Sequence, residues 1–267
     1  MEGDATERAQ RRAREQFAAS GDAYVVSASH AGGEELSRML SLARTRLGEL
    51  AGLRALDVAT GGGHTARALA EAGMAVTASD LTPEMLEAAE RHLRGALPEA
   101  RLAFVAAAAE RLPFDDGAFE LVTCRIAAHH FGDPRAFLAQ ARRVLAPGGV
   151  LIVVDNVAPE DAALAGAMNT VERLRDPSHV RAYGVSEWVG WAAAAGFEPF
   201  NLERFWRVKA LAQWLERART SAEGRRAIEA LLTGAEPAVR KYLVVPDAGE
   251  PSLRHEVMLL AATAGPA

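Results

Sequence analysis

The first clear pattern in the chain is a stripe of apolar side chains at helical spacing, followed by a short apolar run. Between residues 34 and 50 the apolar positions recur every three or four residues, at Leu36, Leu40, Ala43, Leu47 and Leu50. This spacing places them on one face and predicts an amphipathic helix. Residues 53–59 are mostly apolar and end at Thr60 and three glycines, which is typical of a buried parallel strand.

Strand and helix patterns then alternate along the chain. The predicted strands are the apolar runs at residues 53–59, 74–79, 102–106, 119–124 and 150–154. The predicted helices between them include residues 65–72, a segment that begins at Pro83, and residues 134–145. Strands that alternate with helices favour a parallel sheet with helices on both faces. The predicted fold class is therefore α/β, with a doubly wound sheet.

The alternation changes after Asp155, where residues 160–185 form a helix-like stretch that ends in a polar segment. The remaining predicted elements are a helix at residues 188–195, closing strands at residues 197–208 and 254–262, and helices within residues 210–243. Because no repeat or long linker divides the chain, we expect one domain over residues 1–267. Within it we expect an N-terminal helical cap at residues 1–50 and an inserted helical lid at residues 156–185.

Composition and charge narrow the class of protein. Hydrophobic residues make up 49% of the chain and charged residues 24%, so it can bury a full core. The formal net charge of −5 gives no electrostatic footprint for a phosphate backbone, so we expect no nucleic-acid partner. A single cysteine, Cys124, fits a reducing compartment, and no stretch reaches the roughly 20 apolar residues that span a bilayer. We expect a cytoplasmic protein with no membrane partner and no metal site, and its oligomeric state stays open.

A glycine-rich turn carries the main chemical signal. Gly61, Gly62 and Gly63 follow the first strand, where ligands bind at the carboxyl edge of parallel sheets, and no Cβ blocks their backbone. The turn also fits G-x-G-x-x-A with Asp80 about 20 residues on, which keeps a nicotinamide dinucleotide open. Asp57 inside the first strand favours a nucleoside without a pyrophosphate, because a carboxylate repels phosphates. A flexible connecting turn is the simplest alternative.

Three segments in this order resemble one enzyme family. Residues 55–63 (ALDVATGGG) look like the first motif of class I S-adenosylmethionine-dependent methyltransferases. Residues 109–122 (AERLPFDDGAFELV) resemble the segment between the third and fourth strands in the ubiquinone- and menaquinone-biosynthesis-like branch, methyltransferase type 11. Residues 143–149 (RVLAPGG) are similar to that branch's turn into the fifth strand. Over residues 53–155, the resemblance implies a Rossmann-like, seven-stranded, mostly parallel sheet whose last strand is antiparallel.

The resemblance also implies S-adenosylmethionine as the cofactor and assigns residues to it by position. It places Gly61 and Gly63 beneath the methionine part, Asp80 on the ribose hydroxyls and Leu81 against the adenine. The predicted cofactor-binding residues are Asp57, Ala59, Thr60, Gly61, Gly63, Asp80, Leu81, Ala109, Glu110 and Arg125. Capping of the next helix is the alternative role for Asp80. Many relatives have Asp where this chain has Ala108, so the acceptor for the adenine amino group stays open.

The loop after the fourth strand supplies the candidate for catalysis. Methyl transfer from a sulfonium is a direct displacement, so the protein mainly aligns the acceptor and, for a hydroxyl, removes a proton. His129 is the predicted catalytic base, because histidine titrates near neutral pH, with a structural hydrogen-bonding role as the alternative. Consecutive helical side chains point about 100° apart. We therefore expect that His129 and His130 do not both face the reacting group, and that His130 packs against Phe131.

The predicted substrate-binding residues are His130, Asp155, Asn156, Arg181 and Tyr183. Asp155 and Asn156, at the end of the fifth strand, line the acceptor site or cap the following turn. Arg181 and Tyr183 lie in a basic segment that suggests an anionic or polar acceptor, although such segments are more often solvated surface.

Three functions fit these observations. The first is S-adenosylmethionine-dependent methyl transfer to a small molecule, with O, N and C all open as the acceptor atom. The second is a nicotinamide-dependent oxidoreductase, which dinucleotide binding would distinguish. The third is a cofactor-binding protein of this fold that does not methylate, since fold does not fix function.

Overall fold

The computed structural model describes residues 2–18, 34–246 and 249–265, and regular alternation of strand and helix dominates its first part. The elements are α1 (Glu2–Phe17), α2 (Glu34–Leu47), β1 (Arg54–Val58), α3 (His64–Glu71), β2 (Ala75–Asp80), α4 (Pro83–Ala96), β3 (Leu102–Ala106), β4 (Phe119–Arg125), a 3₁₀ turn (Ala128–His130), α5 (Pro134–Val144) and β5 (Leu145–Ala158). The predicted alternation is confirmed. The fifth strand is longer than predicted at both ends.

After β5 the chain adds a helical segment and then returns to the sheet. The elements are α6 (Ala162–Arg175), β6 (Tyr183–Gly184), α7 (Val185–Ala194), β7 (Phe197–Ala210), α8 (Leu211–Arg217), α9 (Ala222–Gly234), α10 (Pro237–Leu243), β8 (Val244–Val245) and β9 (Ser252–Ala264). Both predicted closing strands are present. Residues 156–158, at the start of the predicted lid, still belong to β5.

One sheet organises all of these elements. Its strand order is β3-β2-β1-β4-β5-β9-β7, and the two-residue strands β6 and β8 pair with β5 and β9. Neighbours from β3 to β5 are parallel, whereas β9 is antiparallel to both β5 and β7. This confirms the mostly parallel sheet with an antiparallel last strand and adds two short strands. Because β7 consequently runs parallel to β5, its carboxyl end lies at the same edge as those of β1, β2 and β4.

Apolar side chains cover the sheet on both faces. Two large apolar clusters lie on opposite faces of the sheet. Leu56 of β1 and Val153 of β5 belong to one cluster, and their neighbours Ala55 and Ile152 belong to the other. All four are fully buried. Full burial of a side chain such as Leu or Ile contributes about 1.5–3 kcal/mol, which explains the long apolar runs of the central strands.

A smaller apolar cluster supports the C-terminal helices. It contains Met168 of α6, Trp214 of α8, Ile228 of α9 and Leu243 of α10. These helices form a layer beside β9 that is separate from the two large clusters. The segment after β5 is thus attached by its own core.

Helix α1 lies against the loops at the carboxyl edge. Gln10 Nε2 donates to Glu110 Oε2 at 3.1 Å, and a Cβ on Gly132 would lie only 2.6 Å from the Cα of Thr6. The absence of a side chain at Gly132 therefore permits the close approach of the helix. Residues 19–33 of the predicted cap lie outside the described residues. Of the helices that are described, none is both long and apolar enough to cross a membrane.

Replacing Gly63 tests how tightly α3 and α4 pack. Gly63 has φ of 82°, and an added Cβ would lie 2.3 Å from Leu93 Cδ1 and 3.3 Å from Ala89 Cβ. We expect Gly63→Ala to lower the free energy of unfolding by about 1–3 kcal/mol, as overpacking and a strained backbone do. Gly95→Ala is the matched control, since nothing lies within 4 Å of its added Cβ. Urea denaturation should show that control unchanged or slightly more stable, and equal stability of the two variants would contradict the packing described here.

Candidate functional site

A cavity of about 490 Å³ opens at the carboxyl edge of the sheet, and we call it the main cavity. Nine of the predicted site residues line it: Ala59, Gly61, Asp80, Leu81, Ala109, Glu110, His129, His130 and Asn156. Sequence reasoning missed two groups that also line it. They are Gln10, Ala13 and Phe17 of α1, and Arg207, Lys209, Gln213 and Trp214 of β7 and α8.

Two residues of the cavity wall have a strained backbone. Ala59, directly after β1, has φ of 54°, and Ile126, directly after β4, has φ of 55°. This left-handed conformation is uncommon for alanine and rare for a β-branched residue. Strained residues of this kind cluster at ligand sites, where the surrounding structure holds them. Both residues line the main cavity.

Asp80, the last residue of β2, connects two loops. Its Oδ2 accepts from the backbone N–H of Gly61 and its Oδ1 from that of Thr82, both at 2.9 Å. Burial raises the pKa of Asp80, and these hydrogen bonds act in the opposite direction. Thr82 is the N-cap of α4, and its own side chain forms no capping hydrogen bond. Asp80 thus fixes the glycine turn against the start of α4 while it lines the cavity.

Asp57 is satisfied within the protein. Its two carboxylate oxygens accept from Thr60 Oγ1 at 2.7 Å and from Thr123 Oγ1 at 2.8 Å. Burial raises its pKa to about 6, although the two hydroxyls and Arg125 oppose the rise. Asp57, Thr60 and Arg125 line a second, smaller cavity of about 60 Å³, which shares Ala59 and Gly61 with the main one.

Arg125 and Gly63, two further predicted cofactor-binding residues, are both held by contacts within the protein. The Arg125 guanidinium donates from Nε to Thr65 Oγ1 at 2.9 Å and lies 3.3 Å from Glu35 Oε1. Gly63 lines neither of the two cavities, because it packs against Ala89 and Leu93 of α4.

Asp155 holds His129 in place. Within β5, the carboxylate accepts the backbone N–H of His129 at 2.8 Å and lies 2.6 Å from its Nδ1. Burial disfavours the charged imidazole, but the Asp155 carboxylate outweighs this and raises the pKa of His129. Asp155 therefore lies behind the histidine, as an orienting group in the middle of a strand.

His130 occupies a different environment from the predicted one. Its ring centroid lies 4.2 Å from that of His129, its Nδ1 lies 3.0 Å from Ser178 Oγ, and Phe17 contacts its ring edge-on. Burial lowers its pKa to about 4. The 3₁₀ turn brings both His129 and His130 to the main cavity, and which of them faces the reacting group stays a prediction. The predicted contact with Phe131 is replaced by Phe17 and Ser178.

Asn156 and Glu110 both line the main cavity. Asn156 is 5% exposed, and its Oδ1 has no hydrogen-bond partner in the described part of the chain. Glu110 accepts from Gln10 Nε2 at 3.1 Å and from the backbone N–H of Gly132 at 3.0 Å. Ala109 lines the cavity beside it, whereas Ala108 forms a backbone bridge with Arg111. An unsatisfied buried oxygen at Asn156 points to a ligand that donates hydrogen bonds.

Arg181 and Tyr183 lie outside both cavities, which corrects their predicted placement in the acceptor site. Arg181 pairs with Glu187 at 2.9 Å and its guanidinium stacks over the Tyr183 ring at 4.8 Å. Tyr183 packs edge-on against Trp191 at 4.9 Å. An aromatic cluster with α7 therefore holds them. From this basic segment it is Arg175 and Asp176 that line the main cavity.

Comparison with known proteins agrees with this architecture. The family model described as "Methyltransferase domain" matches residues 56–153. The uncharacterised methyltransferase YcgJ of Bacillus subtilis is 35% identical over 212 residues, which cover 79% of this chain and 82% of YcgJ. A demethylmenaquinone methyltransferase of Clavibacter sepedonicus is 32% identical over 197 residues, 72% of this chain and 76% of its own. The crystal structure of YcgJ superposes with a TM-score of 0.81 and 32% identity, covering 88% of this chain and 99% of YcgJ.

The sheet order, the glycine turn and these matches together define a Rossmann-like methyltransferase fold. The chain belongs to the class I S-adenosylmethionine-dependent methyltransferase family, as its motifs predicted. The comparisons do not favour the nicotinamide-dependent alternative.

The lowered pKa of His130 predicts that acid destabilises the protein. The pKa is about 4 in the folded chain and about 6.5 in an unfolded one. Between these values the unfolded state binds a proton that the folded state excludes, so stability is full above pH ~6.5 and falls as the pH falls toward 4. We expect His130→Gln to make this decline shallower by at most about 1.4 kcal/mol per pH unit. Urea unfolding across this range measures it.

Measurements on the wild type and His130→Gln above pH ~7 provide the control. At a pH above about 7 the histidine is neutral in both states, so the stability difference between variant and wild type should be constant there. An equal decline in both proteins below that pH would contradict a buried neutral His130.

Proposed function

We propose that this protein transfers a methyl group from S-adenosylmethionine to a small-molecule acceptor held in the main cavity. One observation carries the proposal. A single cavity is lined both by Gly61 and Asp80, which belong to the family's cofactor motif, and by His129 and Asn156, the candidate acceptor-site residues. Cofactor and acceptor can therefore meet in one enclosed space, as a direct displacement requires. A volume of about 490 Å³ suits a small molecule.

The residues around the turn fit this cofactor better than a dinucleotide. Asp80 and Asn156 offer oxygen acceptors to hydroxyl or ammonium donors, and Leu81 and Met85 offer apolar surface to a base. Two buried carboxylates, Asp57 and Asp80, flank the glycine turn, where they would repel a pyrophosphate. When bound, S-adenosylmethionine supplies an electrophilic methyl group on a sulfonium.

The His129–Asp155 pair supports proton removal from the acceptor. Because Nδ1 is held by the Asp155 carboxylate at 2.6 Å, Nε2 is the ring atom left to take a proton. The raised pKa of His129 strengthens its affinity for that proton. This arrangement suits a hydroxyl acceptor. The name of one relative supports this choice: a ubiquinone biosynthesis O-methyltransferase of Xanthomonas euvesicatoria is 39% identical over 47% of this chain and 52% of its own.

Titration calorimetry tests the cofactor assignment. We expect binding of S-adenosylmethionine and S-adenosylhomocysteine and no comparable binding of NAD or NADP. Asp80→Ala should weaken the cofactor by about 1.5–3 kcal/mol, the range for a hydrogen bond to a charged group. Asp116→Ala is the matched control, because that carboxylate is 82% exposed and pairs with Arg143, away from the cavity. Equal or tighter binding of NAD would reject the proposal.

His129 and Asp155 are tested by turnover, with an acceptor found by incubating the protein with labelled cofactor and a metabolite extract. His129→Ala should lower turnover by roughly 10²–10⁴ while the affinity for S-adenosylhomocysteine stays nearly intact. Asp155→Asn should lower turnover in the same direction and shift its pH profile, since the imidazole loses the charge that raises its pKa. His130→Ala should mainly lower stability. Full turnover by His129→Ala would show that the enzyme acts by alignment alone.

A further inference from the structure

One part of the main cavity wall consists mainly of hydrogen-bond donors. It is formed by Arg175 at the end of α6, Arg207 and Lys209 at the end of β7, and Trp214 and Arg217 of α8. None of these side chains has a strong acceptor atom. We call this set the donor wall.

The sheet order separates the donor wall from the cofactor motif. Asp80 ends β2 near one side of the sheet, whereas β7 is the edge strand on the other side, with β1, β4, β5 and β9 between them. The His129 loop follows β4 and Asn156 lies on β5, so both are between the two ends. The main cavity therefore runs from the cofactor motif, past His129 and Asn156, to the donor wall.

Lys209 has no countercharge of its own. Its Nζ lies 5.8 Å from the centre of the Trp214 ring, and within the described residues it forms neither a hydrogen bond nor an ion pair. The Glu172 carboxylate favours the charge of Lys209 without forming an ion pair with it. One Glu172 oxygen accepts from Arg175 Nη1 at 3.3 Å, and the other lies 3.0 Å from His255 Nε2 without a hydrogen bond. An enclosed cation without a partner is unfavourable unless a ligand supplies one.

Trp214 provides a second donor without an acceptor. The indole is 1% exposed, and its Nε1 has no hydrogen-bond partner in the part of the chain that the structure describes. Its backbone carbonyl accepts from Arg175 Nε at 3.2 Å, and the Arg175 guanidinium stacks on the ring at 4.6 Å. The ring is thus held in place while its N–H is unsatisfied.

The positive charges around Lys209 outnumber the carboxylates that neutralise them. Burial above all lowers its pKa, to about 7. Glu172 opposes this decrease, whereas Arg175, Arg207 and Arg217 add to it. Glu35, which pairs with Arg207, also pairs with Arg125. Such a site favours a negatively charged ligand group.

We propose that the donor wall binds an oxyanion of the acceptor, a carboxylate or a phosphate group. The acceptor is then an anionic small molecule whose charged end lies against Lys209 and Trp214 while the atom to be methylated lies toward His129. The position of that atom rests on the proposed methyl transfer, whereas the anion site stands on the donor wall alone.

The lysine content of the chain allows a direct test. Lys209 and Lys241 are the two lysines in the sequence, and Lys241 is exposed on α10. Brief acetylation by acetic anhydride, followed by mass spectrometry, reports both in one molecule. We expect benzoate or phenyl phosphate to slow the acetylation of Lys209 at matched ionic strength and to leave Lys241 unchanged. Benzamide, a neutral analogue of benzoate, should protect neither lysine, and equal protection of Lys209 by benzamide would overturn the proposal.

Variants give the second measurement. In calorimetric titrations with S-adenosylhomocysteine saturating, Lys209→Met should weaken the tighter of the two anions about 10-fold or more, the effect of losing a charged hydrogen-bond donor. Lys209→Arg should restore part of the affinity, and Lys241→Met should match the wild type. Lys209→Met should melt no lower than the wild type, because it removes an enclosed unpaired charge. Unchanged anion affinity in a folded Lys209→Met protein would overturn the proposal.

The two proposals fail separately. Binding of S-adenosylhomocysteine without any binding of benzoate or phenyl phosphate would overturn the anion site alone. Anion binding that depends on Lys209, in a protein that binds no S-adenosylhomocysteine, would overturn the proposed function and leave the anion site standing.

Discussion

Three buried aspartates hold the loops that form the candidate site. Asp57 on β1, Asp80 on β2 and Asp155 on β5 would each cost free energy in a dry interior unless donors met them. Most of the donors come from the loops: the Thr60 hydroxyl for Asp57, two backbone N–H groups for Asp80, and the backbone and ring of His129 for Asp155. The second donor to Asp57 is the Thr123 hydroxyl of the neighbouring strand β4. The sheet fixes the carboxylates, and the carboxylates fix the loops. The shape of the cavity therefore follows from the register of the strands.

Most of the sheet was predictable from the sequence, because its central strands are buried on both faces. Such strands are nearly continuous apolar runs that stop at glycine or aspartate, and they stand out against the helical spacing between them. The turn at Gly61 was predictable for the same local reason, whereas the interest in Asp80 came mainly from the family resemblance. The local sequence pattern was sufficient to predict contacts between residues at the ends of neighbouring strands.

The far side of the cavity was not predictable in this way. Lys209 and Trp214 reach it because β9 pairs between β5 and β7, and this pairing joins segments far apart in the chain. No local spacing reports that topology. Arg181 shows the opposite error: it belongs to the basic segment from which we predicted substrate contacts, yet it stacks on Tyr183 and lies outside the cavity. The contact of His129 with Asp155 likewise depends on a 3₁₀ turn whose direction the residue types do not specify.

Helix α1 forms part of the wall of the main cavity, so its attachment affects the small molecules that bind there. Gln10, Ala13 and Phe17 form part of the cavity wall, and the polar bonds that tie this helix to the rest of the described protein include Gln10 to Glu110 and Gln16 Nε2 to the carbonyl of Ala218. Hydrogen bonds of partly exposed side chains open at lower free energy than the backbone pairing of the sheet beneath them. A ligand in the main cavity contacts this helix, so ligand binding also stabilises the attachment of α1.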